Sequence, residues 1–314
     1  MSADRPLAGK VAVVTGSTRG IGRGIAIALG EQGATVYVTG RSSGDGELTI
    51  EGTAARVDEA GGHGVPVQVD HGDDAQIAAL FDTVRAGHGR IDLLVNNVYK
   101  IPDPPAWGGG FWDHPIQIWD DQVGIGLRAH YVASWHAAPL LFAAGAGAAI
   151  VNVSSPGGQS YHFSSSYGAG KAGLDRLTAD MAIELEPKGV AAVVLYPGSV
   201  STEFIVGARG FDPEAQTLLL VGRAAVALAR ADDLMARSGT IQWVEDLVEE
   251  FDLYDEHGHR PRGYVRRVRR RPVGPRRTWN STDQKSANTY RKMFVMPGSG
   301  AIIPTSCGCV RAPG

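Results

Sequence analysis

Cysteine, long apolar runs and metal-binding patterns are scarce or missing in this sequence of 314 residues. Its two cysteines, Cys307 and Cys309, lie close to the C-terminus, so we expect no disulfide framework to support the fold. No apolar run approaches the ~18 residues of a membrane span, and the first residues lack the apolar core of a signal peptide. The histidines and carboxylates show no metal-ligand spacing. The sequence predicts a cytoplasmic protein that binds no metal.

Acidic side chains are nearly absent from one segment, the C-terminal tail. From residue 260 onward the chain has 13 Lys and Arg and a single acid, although its overall formal charge is only −3. A basic run can bind nucleic acid or an anionic membrane, but this one lacks the stacking aromatics of a single-strand site. We therefore expect a folded domain over residues 1–258 and a basic, poorly ordered tail over residues 259–314, with neither nucleic acid nor membrane as a partner.

Short apolar runs alternate along the chain with longer segments of helical period. The strands are continuously apolar, which is typical of strands buried on both faces of a parallel sheet. Six such β–α repeats predict an α/β fold, a doubly wound (Rossmann-type), mostly parallel sheet with helices on both faces. The predicted strands are residues 11–15, 35–39, 65–69, 92–95, 149–153 and 190–195, with a short seventh near 239–244. The predicted helices are residues 20–32, 52–60, 74–86, 119–143 and 166–185.

A glycine-rich turn follows the first predicted strand. Gly16 would allow a sharp turn, Gly20 the close approach of a pyrophosphate, and Gly22 tight packing of the next helix on the sheet. The start of that helix would direct unpaired N–H groups and a partial positive charge at the phosphates. The turn predicts a dinucleotide site formed by Gly16, Ser17, Thr18, Arg19, Gly20, Ile21 and Gly22.

The end of the second predicted strand indicates which dinucleotide is bound. NAD sites usually carry an acid there for the ribose 2′-hydroxyl, but this strand ends Thr39-Gly40-Arg41-Ser42. Arg41, together with Arg19 from the turn, can bind a 2′-phosphate instead. Such a charge-assisted contact contributes about 1.5–3 kcal/mol, or about 10- to 150-fold in affinity. The sequence favours NADP(H) over NAD(H).

A tyrosine and a lysine one helical turn apart are the candidate acid–base groups. Tyr167 and Lys171 fall in the predicted helix after the fifth strand, on one face and about 5–6 Å apart. An ammonium at that distance favours the tyrosinate, so we expect a Tyr167 pKa well below its usual value of about 10. Lowering that pKa to neutrality takes about 4 kcal/mol, to which a positively charged nicotinamide would contribute. Such a tyrosine can exchange its proton with a carbonyl or alcohol oxygen during hydride transfer.

Taken together, these motifs resemble the short-chain dehydrogenase/reductase family over roughly residues 7–250. The resemblance rests on the glycine turn, on Tyr167 and Lys171, and on four motifs that follow predicted strands. Those four are Asp70, Asn96-Asn97, Ser154-Ser155 and Pro197-Gly198. Within the family, Trp119-Asp-Asp and Asp255-Glu-His-Gly are most similar to the dehydrogenase/reductase family member 1 group.

The resemblance implies a cofactor-binding role for several positions. Asp70 would bind the adenine ring and Asn96 the adenosine ribose. Tyr167 and Lys171 would lie at the nicotinamide ribose. The loop after the sixth strand would contact the nicotinamide end of the cofactor and orient its carboxamide, through Pro197, Gly198, Val200 and Thr202.

The resemblance also implies a substrate-binding serine and an oligomer. The serine would bind the substrate oxygen beside Tyr167. Counting forward from Asn152 favours Ser155, whereas counting back from Tyr167 favours Ser154, and both stay open. Family members usually associate through the Tyr167 helix and its neighbour, so we expect a homodimer or homotetramer.

Two positions depart from the family pattern. Asn-Asn-Ala-Gly is here Asn96-Asn97-Val98-Tyr99, so Tyr99 places a large ring where glycine normally leaves space. Gly126 stands where many members have a catalytic Asn that anchors a proton-relay water, and water or Arg128 would have to substitute. These departures leave open a second interpretation, an NADP(H)-binding regulatory or scaffold protein with impaired catalysis.

Aromatic side chains indicate the character of the substrate. The Pro/Gly-rich segment 100–115 carries Trp107, Phe111 and Trp112, and we expect it to meet residues 161–163 and 204–211 beyond the carboxyl ends of the strands. Such a lining favours a small apolar carbonyl compound, a ketone or an aldehyde, or the corresponding alcohol.

Overall fold

A computed structural model of the protein describes residues 5–103 and 109–261. In this part of the chain a seven-stranded parallel sheet has the order β3-β2-β1-β4-β5-β6-β7. The predicted α/β, doubly wound fold is confirmed. The strands are β1 (Val11–Val14), β2 (Thr35–Gly40), β3 (His63–Gln68), β4 (Leu93–Asn96), β5 (Ala149–Val153), β6 (Ala191–Tyr196) and β7 (Ile241–Trp243).

Helices cover both faces of the sheet. Several begin at a residue whose side chain accepts a main-chain N–H of the first turn, as Asp73 does for Ala75 and Gln76. The helices are α1 (Gly20–Glu31), α2 (Ile50–Ala60), α3 (Asp74–His88), α4 (Gln117–Trp119), α5 (Ala129–Ala144), α6 (Ser165–Leu185), α7 (Glu203–Arg209), α8 (Leu218–Ala229), α9 (Leu234–Arg237) and α10 (Val244–Glu250).

Alternate residues of β1 face two separate hydrophobic cores, because successive side chains of a strand point to opposite faces. Val11 and Val13 pack with α3, α5 and α6, whereas Ala12 and Val14 pack with α1, α2, α8 and α10. All four side chains are at most 4% exposed. Burial on both faces explains why β1 reads as continuously apolar in the sequence.

The helix predicted over residues 119–143 is present without a break, but part of it is not α-helical. Its first part, Asp120–Arg128, is a π-helix, which we call the π segment, and α5 follows it. Gly124 and Gly126 have low intrinsic helix preference, and π-helical turns are frequent at functional sites. The π segment packs beside α6, so the irregularity lies next to the helix that carries Tyr167.

The strand order reverses beside β1, with β2 and β3 on one side and β4 to β7 on the other. Chain segments that leave the carboxyl ends of β1 and β4 enter opposite layers, which opens a crevice where ligands of such folds bind. The tail predicted over 259–314, apart from residues 259–261, lies outside the described residues, as do Trp107, Cys307 and Cys309.

Candidate active site

The glycine turn has the backbone geometry that its sequence predicts. Gly16 and Gly20 have φ of +65° and +58°, in the left-handed region that glycine adopts without strain. A Cβ on Gly22 would lie 2.3 Å from Nδ2 of Asn97 and 2.5 Å from the carbonyl oxygen of Gly16. Glycine at these positions therefore brings the start of α1 close to the ends of β1 and β4.

The first turn of α1 already binds an anionic group. The main-chain N–H of Gly20 donates to a carboxylate oxygen of Glu203, 2.8 Å away. This contact matches the expected anion-binding character of a helix N-terminus. The turn therefore fits the phosphates of a dinucleotide, as its sequence predicts. No local pattern in the sequence marks Glu203, which comes from the distant loop after β6.

A polar side chain of the glycine turn, that of Ser17, forms hydrogen bonds with main-chain groups of the protein. Ser17 is fully buried and its hydroxyl donates to the carbonyl oxygen of Val14, 2.9 Å away. The same hydroxyl accepts the N–H of Thr39 at 2.9 Å. Thr18 is 7% exposed. Ser17 therefore joins the turn to β2, and a cofactor would meet the turn mainly through its main chain.

The structure places Arg19 at the end of β2. Its guanidinium donates to the Ser42 hydroxyl at 3.2 Å and to the carbonyl oxygen of Leu48 at 3.4 Å. Arg41 is exposed on the same loop. The two arginines expected at a 2′-phosphate thus both adjoin Ser42, Arg41 as its neighbour in the chain and Arg19 through its hydrogen bond.

Asp70 and Asn96 differ in whether their side chains are accessible to a cofactor. Asp70 is partly exposed after β3, and its carboxylate accepts the N–H of Gly72 at 2.9 Å. Asn96 is fully buried, and its amide nitrogen donates to Ser134 and to Asn152, both at 2.9 Å. The Asn96 side chain joins β4 to β5 and α5, so only its main chain could meet a ribose.

Tyr167 and Lys171 lie in the first two turns of α6. Ser164 caps this helix, and its hydroxyl accepts the N–H of Tyr167 at 3.2 Å. The Tyr167 ring lies against Gly157, where a Cβ would be 2.5 Å from Cε1 of the ring. Lys171 is 7% exposed, and its ammonium donates to the carbonyl oxygen of Val153 at 3.0 Å. Both side chains are therefore at the carboxyl end of β5.

The two candidate serines have different partners. The Ser155 side chain forms a hydrogen bond with Tyr167, which lowers the pKa of that tyrosine. Ser154 is 4% exposed, and its side chain forms hydrogen bonds with Asp175 and Tyr196 instead. This geometry favours Ser155 as the serine beside the acid–base pair.

The expected lowering of the Tyr167 pKa is wrong for this arrangement. Burial raises the pKa of Tyr167 to about 12, and the Ser155 hydrogen bond offsets only part of that effect. Burial also lowers the pKa of Lys171 to about 8. The loss of water around a tyrosinate at this position outweighs the effect of the Ser155 hydrogen bond. Tyr167 therefore holds its proton at neutral pH.

A partly buried acid below this pair, Asp175, was not predicted from the sequence. Asp175 lies one helical turn beyond Lys171 and accepts a hydrogen bond from the Tyr196 hydroxyl. Burial raises the pKa of the Asp175 carboxyl, while Tyr196, Ser154 and Lys171 lower it. The spacing of Tyr167, Lys171 and Asp175, four residues at each step, is the signal that could have found it.

The loop after β6 meets the same edge of the sheet. The main-chain N–H of Gly198 donates to the Gln216 side chain at 3.0 Å, and Val200 pairs with the main chain of Gln216. Thr202 caps α7 by accepting the N–H of Ile205 at 3.3 Å. The loop of Pro197, Gly198, Val200 and Thr202 is thereby fixed between β6 and α7.

This arrangement agrees with comparisons to known proteins. The family model for short chain dehydrogenases matches residues 10–209. The chain belongs to the short-chain dehydrogenase/reductase family. Its members are oxidoreductases with a nicotinamide cofactor, and the glycine turn and the Tyr167 region form the candidate active site of this chain.

Individual relatives share much of the chain. Dehydrogenase/reductase SDR family member 1 of Mus musculus is 40% identical over 277 residues, covering 82% of this chain and 87% of the relative. Cis-4-hydroxycyclohexanecarboxylate dehydrogenase of Sinomonas cyclohexanicum is 35% identical, covering 63% and 76%. The structure of a short-chain dehydrogenase/reductase variant from Serratia marcescens superposes with a TM-score of 0.66 at 27% identity, covering 76% and 97%.

Several large apolar side chains are exposed in the described part of the chain. Phe111 and Trp112 are 71% and 74% exposed, and Phe163 packs edge-to-face on Tyr167 with ring centroids 5.2 Å apart. Among residues 5–103 and 109–261, no three His, Cys, Asp or Glu side chains gather as a metal site would require. None of the helices in these ranges is long and apolar enough to cross a membrane.

Proposed function

We propose that this protein is an NADP(H)-dependent oxidoreductase that transfers a hydride between the cofactor and a carbonyl or alcohol carbon of a small apolar substrate. Residues 1–258 would form the catalytic domain. The observation that carries the proposal is the hydrogen bond between Ser155 and Tyr167, with Lys171 one turn further along α6. A protonated phenol beside a second hydroxyl is suited to bind and protonate a carbonyl oxygen.

Each side chain has a distinct task in the proposed reaction. The bound dinucleotide supplies or accepts the hydride. The Ser155 hydroxyl binds the substrate oxygen, and Tyr167 donates its Oη proton to that oxygen in the reductive direction. Because burial raises the Tyr167 pKa to about 12, the phenol is protonated at neutral pH, as a proton donor to a carbonyl oxygen must be. Lys171, held by the Val153 carbonyl, would bind the nicotinamide ribose.

Cofactor choice is the second part of the proposal. Arg19 reaches across to Ser42, and Arg41 is exposed beside it. Two guanidinium groups at the end of β2, with no acid at Thr39 to Ser42, support a 2′-phosphate at this position. We also propose that Asp70, which is partly exposed after β3, binds the adenine ring.

Exposed aromatic side chains, one of them beside Tyr167, support an apolar substrate. Phe163, Phe204 and Phe211 are 37%, 37% and 72% exposed, and Phe163 touches the Tyr167 ring. The name of the Sinomonas relative describes a dehydrogenase of a cyclic hydroxy acid, which supports chemistry between an alcohol and a carbonyl. We propose ketones or aldehydes with an apolar body as the substrates.

An oligomer is also part of the proposal. One stripe of α5 exposes Tyr131, Trp135 and Phe142, at 50%, 65% and 38% of their surfaces. Their spacing of four and seven residues places them on one side of the helix. A second copy covering this stripe would form a homodimer, and two such dimers a homotetramer. Light scattering of the purified protein measures the mass directly.

The deciding experiment follows NADPH absorbance with purified protein and a panel of apolar ketones and aldehydes. Wild-type protein should oxidise NADPH, and Tyr167→Phe should abolish turnover while leaving NADPH affinity nearly unchanged. Ser154→Thr, which keeps a hydroxyl at a neighbouring buried position, serves as a matched control. Equal turnover by Tyr167→Phe would exclude the proposed acid–base role.

A second candidate is an NADP(H)-binding regulatory or scaffold protein. The observation that favours it is Tyr99, whose ring lies against Gly126 in the space where many relatives place a catalytic Asn. In that case the protein should bind NADPH with no substrate in the panel causing oxidation. The same measurement therefore separates the two candidates.

A further inference from the structure

Tyr99 touches both members of the proposed acid–base pair. Its ring stands edge-to-face to Tyr167, with centroids 5.8 Å apart and an interplanar angle of 88°. The ammonium of Lys171 lies 5.4 Å from the centroid of the Tyr99 ring. The face of an aromatic ring is electron-rich and attracts a cation, the more so where water is excluded. Tyr99 is thus placed to stabilise the charged form of Lys171.

Hydrogen bonds connect Tyr99 to the helix that carries Tyr167. The Tyr99 hydroxyl accepts from the Gln122 side-chain nitrogen at 3.0 Å. Gln122 is 3% exposed, and its amide oxygen accepts from Ser164 at 3.1 Å and from Ser166. Because Ser164 caps α6 through the N–H of Tyr167, the position of the Tyr99 ring is coupled to the first turn of that helix.

Gly126 provides the space that the Tyr99 ring occupies. A Cβ at Gly126 would lie 3.1 Å from Cδ2 and 3.5 Å from Cε2 of Tyr99. The φ of Gly126 is outside the left-handed region, so room rather than backbone conformation explains the glycine. Gly124, two residues earlier in the π segment, has no atom within 4 Å of such a Cβ. The two glycines therefore differ in whether they face Tyr99.

We propose that Tyr99, seated against Gly126, is a positioning residue whose ring stabilises the Lys171 ammonium and holds Tyr167 in place. This inference rests on the proposed function and adds a residue to the same site. We assign no proton transfer to Tyr99, because its hydroxyl is engaged by the side chain of Gln122. On this view Tyr99 and Gly126 support catalysis instead of impairing it.

The first test uses two variants, Tyr99→Phe, which removes only the hydroxyl, and Tyr99→Leu, which removes the aromatic ring. Phe keeps the aromatic face, whereas Leu keeps apolar bulk without it. The readout is acetylation of Lys171 by acetic anhydride in protein without cofactor, measured by mass spectrometry across pH. A lost cation–π contact corresponds to about 3- to 10-fold in the fraction of neutral amine. Below pH 8 we therefore expect Lys171 to be acetylated about 3- to 10-fold faster in Tyr99→Leu than in wild type, and at nearly the wild-type rate in Tyr99→Phe.

Turnover with NADPH gives a second readout of the same variants. Tyr99→Leu should lower kcat by about 3- to 10-fold with little change in KM, because the ring acts on Lys171 and Tyr167 rather than on substrate. The pH profile of kcat should also shift. Unchanged Lys171 reactivity in Tyr99→Leu, or an equal change in Tyr99→Phe and Tyr99→Leu, would overturn the proposal.

Gly126→Ala tests the contact between Tyr99 and Gly126 without altering Tyr99 itself. The added methyl group should displace the ring and lower kcat, whereas Gly124→Ala in the same segment should leave kcat unchanged. In the Tyr99→Leu background, Gly126→Ala should have little further effect, since coupled residues are not additive. Additive losses, or equal losses in the two alanine variants, contradict the proposal. Thermal unfolding of every variant separates these effects from loss of fold.

Failure of this inference can be distinguished from failure of the proposed function. If Tyr167→Phe is inactive while Tyr99→Leu and Gly126→Ala behave as wild type, only the role of Tyr99 is wrong. If Tyr167→Phe retains turnover, the proposed acid–base reaction is wrong. The acetylation experiment needs no turnover, so it still decides whether Tyr99 acts on Lys171.

Discussion

The carboxylate of Glu203 accepts a hydrogen bond from the main-chain N–H of Gly20, with the two atoms 2.8 Å apart. Gly20 is the first residue of α1, where the helix dipole and unpaired N–H groups favour a negative charge. Arg23, in the same turn, lies 4.0 Å from the other carboxylate oxygen. The Glu203 carboxylate thus lies at the start of α1, where the phosphates of a dinucleotide would bind.

Removal of this charge should strengthen cofactor binding. Glu203→Gln keeps a hydrogen-bond acceptor but removes the negative charge that opposes a phosphate at α1. A charge at a helix N-terminus is worth about 0.3–1 kcal/mol, so we expect the NADPH Kd to fall about 2- to 5-fold. Fluorescence titration measures this, with Glu184→Gln on the exposed side of α6 as control. A Kd that rises or stays constant contradicts the prediction.

Loss of either arginine at the end of β2 should reduce the preference for NADPH over NADH. Arg41→Ala and Arg19→Ala each remove one guanidinium from the proposed 2′-phosphate site, and we expect about 10- to 150-fold loss in NADPH affinity. Affinity for NADH should change much less, because NADH lacks the phosphate. The Kd ratio of the two cofactors checks this. Arg56→Ala, which removes an exposed arginine on α2, should leave this Kd ratio unchanged. If Arg41→Ala has the same Kd ratio as wild type, the cofactor assignment is wrong.

The two serines after β5 should differ in their effect on turnover. Ser155→Ala removes the hydroxyl bonded to Tyr167 and should lower kcat about 10²-fold, comparable with the loss of one donor to a reacting oxygen. Ser154→Ala should act mainly on stability, because Ser154 bonds Asp175 and Tyr196. Steady-state kinetics and thermal unfolding of both variants make the comparison. A larger kcat loss in Ser154→Ala would reverse the assignment.

Buried histidines should make the fold sensitive to acid. Burial lowers the pKa of His71 to about 4 and that of His130 to about 3, with Lys171 also lowering the latter. The unfolded chain, with a histidine pKa near 6.5, binds more protons between about pH 3 and 6.5, so the free energy of unfolding falls as pH falls through that window. From pH 7 to 5 the loss is about 2 kcal/mol for each residue.

Urea unfolding at pH 7 and pH 5 tests this expectation. His130→Gln should show a smaller loss of stability between the two pH values than wild type, whatever its stability at pH 7. His162→Gln is the matched control, because His162 is partly exposed and its side chain bonds only nearby groups of its own loop. If wild type and His130→Gln lose the same free energy of unfolding between pH 7 and pH 5, His130 is not a source of the acid sensitivity.

Most of the fold could be predicted because it depends on local patterns. Continuous apolar strands such as Val11–Val14 and the helical period of Gly20–Glu31 are visible in the sequence, and their alternation leaves few possible sheet topologies. The π segment could not be predicted, since no local pattern in Asp120–Arg128 distinguishes a π-helix from an α-helix that contains two glycines. Its geometry depends on packing against α6, which no local pattern records.

The site was predictable where its residues form a motif, as Tyr167 and Lys171 do, and not where they come from distant segments. Gln122 and Glu203 have no motif of their own and become part of the site only through contacts with Tyr99 and Gly20. The side chain of Asn96 shows the converse, since a residue in a motif proved to be fully buried between strands.

By itself the sequence determined the doubly wound sheet, the glycine turn at α1 and the spacing of Tyr167 and Lys171. Only the tertiary structure decided that Ser155 rather than Ser154 bonds Tyr167, and that burial raises the Tyr167 pKa instead of lowering it. The physical reason is that hydrogen bonding and desolvation depend on which groups surround a side chain in space. Spacing along a helix fixes which residues can be neighbours but not how much water is excluded from them.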